Sequence, residues 1–232
     1  MAKKTKASLR KPLLIIVLVF GPALLLILIS MNKCEHKFTK LPSYGTIGQY
    51  SFVDANGNEI TNTNQEGNVV LFHTIQPSCP KNCAINVAKF NLLLYQHYRQ
   101  QQKKMNHIKF IGIATDEKGN PLPKEQLEEM EFIMNDIIEG YNSDIWKIVT
   151  GDPKQIYDIE SNNVNLYTQE SDSAFAGKTF LETLLIVDKS NELRLVRRGN
   201  KEGYIRDFKE HVALLQKQYD KQAFKEKKED EK

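Results

Sequence analysis

The stretch NVVLFHTIQPSCPKNCAIN, residues 68–86, carries the local order on which the fold turns. Residues 68–75 form a continuous β-prone run, the pattern of a central strand buried on both faces. Gln76-Pro77-Ser78 ends that run, and Cys79 and Cys83 then bracket Pro80 at the start of a helical pattern. Pro80 falls at or near the first helical position, where a missing N–H costs nothing. Cys83 follows one turn later, at i+4, on the same face as Cys79. Both sulfurs are therefore expected beside free backbone N–H groups at a helix N-terminus, whose partial positive charge favours thiolate, and Lys81 adds a cation. Thiols so placed suit disulfide exchange or soft-metal binding, where thiolates select Cu(I) or Zn. The plainer reading, Cys83 as a small core residue beneath the helix, stands beside these.

Working outward, the chain alternates strand and helix. Upstream, Tyr50-Ser51-Phe52-Val53 and Glu59-Ile60 flank Asn56-Gly57, the signature of a β hairpin. Downstream, Ile85, Val87, Ala88, Leu92, Leu93, Tyr95 and Tyr98 recur at helical spacing, and residues 107–115 read as a second strand. Residues 124–139 form an amphipathic helix through Leu127, Met130, Ile133, Met134, Ile137 and Ile138. A third strand is expected over 144–150, a short helix over 152–159, and an irregular polar loop over 162–178. Strands over 180–188 and 192–198 then pair across Lys189-Ser190-Asn191, and a helix over 204–219 closes the domain. A hairpin followed by β-α-β-α-β-α-β-β-α predicts an α/β sandwich of the thioredoxin kind with an N-terminal hairpin extension.

Ahead of the domain, residues 13–30 are apolar and uncharged, and Lys3, Lys4, Lys6, Arg10 and Lys11 precede them. The length is at the lower end for a bilayer span, and the cations place the N-terminus in the cytoplasm. A cleaved signal peptide fits less well, because Ser30-Met31-Asn32-Lys33 lacks a small-x-small junction. The organisation expected is a basic leader (1–12), a transmembrane anchor (13–31), a linker (32–43), the domain (44–219) and a charged tail (220–232). The tail is expected to fray and is assigned no partner. Without its five leading cations the chain changes from a formal net charge of +3 to −2, so the basic balance is no nucleic-acid footprint. Export permits disulfides, yet three cysteines do not make a stapled scaffold; Cys34 is left over near the anchor.

The ordered set of features resembles the Sco/SenC family of membrane-anchored, thioredoxin-like proteins. The matching features are Cys79-Pro80-x-x-Cys83 between strand and helix, the hairpin Phe52-Val53-Asp54-Ala55-Asn56-Gly57, Ile113-Ala114-Thr115-Asp116, and Trp146-Lys147-Ile148-Val149-Thr150-Gly151. They run from about Leu41 to Gln218. The resemblance implies copper delivery to the dinuclear copper site of cytochrome c oxidase, or thiol–disulfide exchange serving that assembly. Both family cysteines carry over, as Cys79 and Cys83, with copper as the implied metal. The partner would be the oxidase copper subunit or another exported thiol protein. The domain would sit on the periplasmic side of a bacterial inner membrane.

The family's third copper ligand, a histidine before the late strand, does not carry over. The counted position is Phe180, and residues 162–188 contain no His, Met or Cys. Nor does Ala84 match the proline that usually follows the second cysteine. Two thiolates can hold Cu(I), whereas Cu(II) is better served by added imidazole, so disulfide chemistry is the role left intact. A copper-independent thiol–disulfide oxidoreductase is therefore the alternative, and an inert disulfide in a binding module a third. His73, six positions before Cys79, reads as a hydrogen-bonded strand residue more than a ligand. His36, His97, His107 and His211 read as linker, surface or packing residues. Glu170, Asp172 and Glu182 are expected to be solvated, Asp116 to cap a strand end and Trp146 to be a core aromatic.

Overall fold

The computed structural model describes residues 41–77, 87–161, 164–170 and 178–230, together with Leu18 and residues 20–25. The chain divides into two units, residues 1–39 and 40–232. In the first, the described residues are helical and largely exposed; the leader and most of the apolar run lie outside the described residues. Among the described residues no helix is long and apolar enough to cross a membrane.

The second unit is built on a seven-stranded sheet. Its strands are β1 (Ser51–Asp54), β2 (Glu59–Thr61), β3 (Val69–Ile75), β4 (Ile108–Ala114) and β5 (Trp146–Thr150), with β8 (Thr183–Val187) and β9 (Leu193–Arg198). A separate two-stranded ribbon pairs β6 (Glu160–Ser161) with β7 (Val164–Asn165). The sheet order is β2-β1-β5-β4-β3-β8-β9, with β3, β4 and β5 parallel and the outer pairs antiparallel. Every residue of β3 is buried, as its continuous β-prone run requires of a strand covered on both faces. Leu71 and Ile75 join a core under the helices with Phe90, Phe110, Trp146 and Phe208. Val70 and Phe72 join the opposite core with Phe52, Ile113, Tyr157 and Phe180. The Asn56-Gly57 hairpin closes as its composition demands: Gly57 takes φ +84°, and Asp54 accepts a hydrogen bond from the Asn58 amide at 2.8 Å.

Three long helices follow in chain order: α1 over residues 87–100, α2 (Glu125–Ile137) and α3 (Glu202–Asp230). α1 is π-helical over Asn91–Tyr95, with the Gln96 N–H donating to the Asn91 carbonyl. The widened turn lets the adjacent Leu94 and Tyr95 both face inward and turns Leu92 out to 71% exposure. The buried stripe is thus Phe90, Leu94, Tyr95 and Tyr98, which differs from the face the spacing predicts. On α2, Leu127, Met130, Met134 and the following Ile138 are buried as expected, whereas Ile133 and Ile137 are exposed. The tail departs further: α3 does not end near Tyr219 but runs to Asp230. Phe180–Glu182 also departs, forming a 3-10 turn over Thr179–Glu182 so that β8 begins only at Thr183.

Arg194 on β9 fastens the edge of this architecture. Its guanidinium meets Asp188 at 3.1 Å and Glu192 at 3.2 Å, and donates to the Leu41 carbonyl at 2.9 Å and to Gln218 Oε1 at 3.5 Å. Asp188 is itself buried, so removing the cation leaves a buried carboxylate held by the Ser190 and Glu192 amides without its counter-charge. Arg194→Ala is expected to lower the unfolding free energy by about 3–5 kcal/mol. Urea denaturation measures this, and a loss within the error of the midpoint would show that water replaces the guanidinium at no cost.

Candidate functional site

Cys79 and Cys83, like Cys34, Asp172 and His36, lie outside the described residues. The structure instead defines what holds the two ends of the cysteine stretch. At the near end the β3 backbone is still paired at its last residue, where the Ile75 carbonyl accepts from the Thr115 N–H at 3.0 Å. Gln76 Nε2 then donates to Thr115 Oγ1 at 3.1 Å and to Thr74 Oγ1 at 3.4 Å. Thr74 in turn donates to the Leu181 carbonyl at 2.8 Å. Three segments are thus tied together at the point where the chain enters the stretch: the end of β3, the residue after β4, and the 3-10 turn before β8. At the far end Phe90 is buried against Trp146, with ring centroids 4.9 Å apart, and against Phe110 at 5.4 Å.

His73 lies beneath this helix and is fully buried, its ring 4.6 Å from Phe90. The Trp146 indole can only donate, so its 2.9 Å contact with His73 Nε2 makes that nitrogen the acceptor. The proton therefore sits on Nδ1, which donates to the Thr74 carbonyl at 2.9 Å. Burial pushes the imidazole down to about 4, against which the Thr74 bond works only partly. With both nitrogens engaged and the ring neutral, His73 has no lone pair left for a metal. The ring also explains Gly112 on β4: a Cβ there would stand 3.0 Å from His73 Cε1.

Phe180 occupies the position counted for the family histidine. It is fully buried, stacked on Tyr167 at 4.9 Å and tilted against Tyr157 at 5.7 Å. Its ring also covers Gly119, which has φ +81° and where a Cβ would collide with it. That glycine belongs to a turn organised by Asp116, whose Oδ1 accepts from the Lys118 and Asn120 amides at 2.8 Å each. Burial works to raise the Asp116 carboxyl, but its bonds from Asn120, Lys118 and Gly119 outweigh it and hold the group below its usual range. Asp116 is thus the cap its position suggests, and Trp146, fully buried, is the core aromatic.

The remaining histidines fall elsewhere. His107 precedes β4 at the opposite end of the parallel strands from the cysteine stretch, His97 is near the end of α1, and His211 on α3 contacts the Asp207 carbonyl at 2.7 Å. Glu170 is exposed, as expected of a solvated carboxylate. Glu182 corrects that expectation: it is fully buried, accepts from Asn200 Nδ2 at 2.6 Å, and lies 3.6 Å from the Arg198 guanidinium. The 3-10 turn draws it inside, and the charged group at the end of β9 and the polar group just after it offset its desolvation. No run of residues around Glu182 signals this, because its partners come from the other side of a hairpin. Among the described residues no group of three or more His, Cys, Asp or Glu side chains is placed to hold a metal ion. They offer nothing that fits the family's histidine ligand.

Sheet order, helix placement and a cysteine-bearing connection out of β3, one of the three parallel strands, define a thioredoxin-like α/β protein. The family model described as SCO1/SenC matches residues 39–206. The chain belongs to the SCO1/SenC family. Among solved structures it is similar to a putative electron transfer protein from Aquifex aeolicus VF5, at 16% identity and a TM-score of 0.50 over 75% of this chain and 97% of that one. It is also similar to BsSco, described as a member of the Sco family of cytochrome c oxidase assembly proteins with a disulfide switch (12% identity, TM-score 0.48, 76% and 96% covered). Bradyrhizobium japonicum ScoI, solved with copper bound, resembles it at 16% identity and a TM-score of 0.44, with 72% and 99% covered. At these identities the likeness concerns the fold. No curated protein matches the sequence.

Proposed function

We propose that this SCO1/SenC-family protein serves respiratory copper-centre assembly chiefly by thiol–disulfide exchange at Cys79 and Cys83. The observation that carries the reading is the fully buried aromatic wedge at Phe180, the position counted along the sequence for the histidine that the resemblance implies. With His73 committed to Trp146 and Thr74, oxidised copper loses its nitrogen donor while the two sulfurs lose nothing. In the exchange, the Cys79 thiolate attacks a client disulfide and expels one client thiolate, forming a mixed disulfide. Cys83 as thiolate then displaces the second client sulfur. Two electrons pass to the client, which leaves as a dithiol, and the pair becomes the Cys79–Cys83 disulfide. The client is the copper subunit of cytochrome c oxidase or another exported thiol protein. The 13–31 segment anchors the domain on the periplasmic side of a bacterial inner membrane, as its apolar run and leading cations support.

Family membership favours a second reading, in which the reduced pair also carries Cu(I) on two thiolates as cargo. Anaerobic Cu(I) competition against a chelator separates the two, with the reduced protein measured beside Cys79→Ser and Cys83→Ser. Tight one-to-one binding lost in both variants would establish a two-thiolate carrier. No binding in the reduced wild type is the outcome expected of a redox pair alone. Its reduction potential should then lie above the range of structural disulfides, below about −300 mV. A potential within that lower range would leave an inert disulfide and sink the exchange function.

A further inference from the structure

The outer face of α2 is built from acids and uncovered apolar groups. Its inner side is complete, with Leu127, Met130 and Met134 buried in the core. Outside, Phe132 is 74%, Ile133 42% and Ile137 60% exposed. Single exposed apolar residues are ordinary on a protein surface, but these three share one helix. Residues 125–139 also hold six carboxylates and no Lys or Arg. At about 100° per residue, Glu125, Glu129 and Asp136 form one row, with Phe132 along one edge and Ile133 and Ile137 along the other. Among the described residues none of these three acids makes an ion pair. Glu125 and Glu129, at i and i+4, repel each other and work against the helix that carries them.

The cations nearby lie at the ends of the helix or beneath it. Lys124 reaches the β1–β2 turn, 2.8 Å from where a Cβ on Gly57 would stand, and the Arg99 guanidinium covers Gly140. Lys147 lies 3.7 Å from the buried Asp54. Beside the row of acids, a cleft of about 700 Å³ opens between α2 and the β1–β2 turn, lined by Asn56, Glu128, Glu131, Phe132, Tyr141 and Asn142. Glu131 is half-buried there; burial and the Asp54 charge raise its carboxyl, and Lys147 offsets this only in part. We propose that this face docks a cationic amphipathic helix of a partner protein. The partner's apolar side chains lie over Phe132, Ile133 and Ile137, and its lysines or arginines meet Glu125, Glu129 and Asp136. One more cation enters the cleft toward Glu128 and Glu131. From Glu125 to Ile137 the face is about 18 Å long, about three turns of such a helix. The sign of the charge selects this occupant. Phosphate-bearing partners, lipid or nucleic acid, would be repelled, and a second copy across a two-fold axis would lay acids upon acids. The contact needs neither Cys79 nor Cys83.

The test uses the full chain in phosphatidylcholine nanodiscs and a labelled helical peptide of leucine and lysine, about 18 residues long, followed by fluorescence anisotropy. Empty nanodiscs set the amount of peptide held by lipid. The wild type is expected to bind above that background, and more weakly as salt is raised. Glu129→Lys/Asp136→Lys and, separately, Ile133→Ser/Ile137→Ser should each weaken binding by about tenfold or more. A leucine–glutamate peptide of the same length should not bind. All four positions are exposed, and the emission of Trp146, fully buried in the wild type, reports whether each variant is folded. Glu125→Lys and Phe132→Ser stand in for a double variant that does not fold. Background-level binding in the wild type, or equal binding in wild type and both double variants, overturns the proposal. So does a loss confined to one of the two, which would leave plain charge attraction or plain apolar adhesion in place of docking. A dimer of the chain, seen by light scattering in detergent and dissolved by the charge reversal, would assign the face to a second copy and overturn the proposal as well.

Discussion

Acidification from pH 6.5 to below pH 4 is expected to remove about 3 kcal/mol of stability from the domain through His73 alone. In the folded protein its pKa is pushed down to about 4 by burial, from an ordinary 6.5. Between those values the unfolded chain binds a proton that the folded chain refuses, so stability rises with pH across this window. It is fully present above pH 6.5 and lost as the pH falls through about 4. Protonation would also place a second donor on Nε2, facing the Trp146 indole N–H at 2.9 Å. Urea denaturation at a series of pH values measures the effect. Carboxylates titrate nearby, so the comparison is with the double variant His73→Leu/Trp146→Phe. Removing both partners leaves no buried donor stranded and should cost little at pH 7 relative to His73→Leu alone. It should flatten the stability curve between pH 4 and 6.5. The same slope in wild type and double variant would show that His73 is charged or solvated in the native state.

A second large effect is expected at Phe180. Truncation to alanine leaves a cavity between Tyr157, Tyr167 and Gly119 and should cost about 3–5 kcal/mol. Phe180→His is the more informative change, because it restores the residue type of the family pattern. Buried among aromatic rings, the new imidazole is expected to destabilise the domain and to confer no Cu(II) affinity. Cu(II) titration of the reduced variant by absorbance and electron paramagnetic resonance reads this directly. Tight binding that also requires Cys79 would mean that the 3-10 turn can reopen toward the thiols, and would restore the oxidised-copper role. Gly119→Ala, at φ +81° and against the Phe180 ring, should be strongly destabilising alone. It should be less so in the Phe180→Ala background, where the collision is relieved though the backbone strain persists.

Much of the architecture is legible from local pattern. The unbroken β-prone run of β3, the Asn56-Gly57 turn and the alternation of strand and helix each follow from forces acting within a few residues, and they point to one fold. The absence of histidine between residues 162 and 188 is likewise a plain reading of composition, and it already favours disulfide over oxidised-copper chemistry. What local pattern cannot reach is whatever depends on residues far apart in the chain. Trp146 lies 73 positions from His73, yet it alone decides which imidazole nitrogen carries the proton. Glu182 looks like a surface carboxylate until Arg198 and Asn200 are folded over it. Phe180 reads as the start of a strand, but Tyr157, Tyr167 and the Gly119 turn hold it in a 3-10 turn as a wedge. The composition after Tyr219 suggests fraying, whereas α3 continues through it; helix propagation from a packed segment adds residues at far less cost than nucleation does. Sequence alone determined the fold, the family and the chemistry open to Cys79 and Cys83. Tertiary structure decided which histidine and carboxylate side chains are already committed elsewhere, His73 to Trp146 and Glu182 to Asn200 among them, because burial and hydrogen-bond commitment belong to contacts that only the folded chain can make.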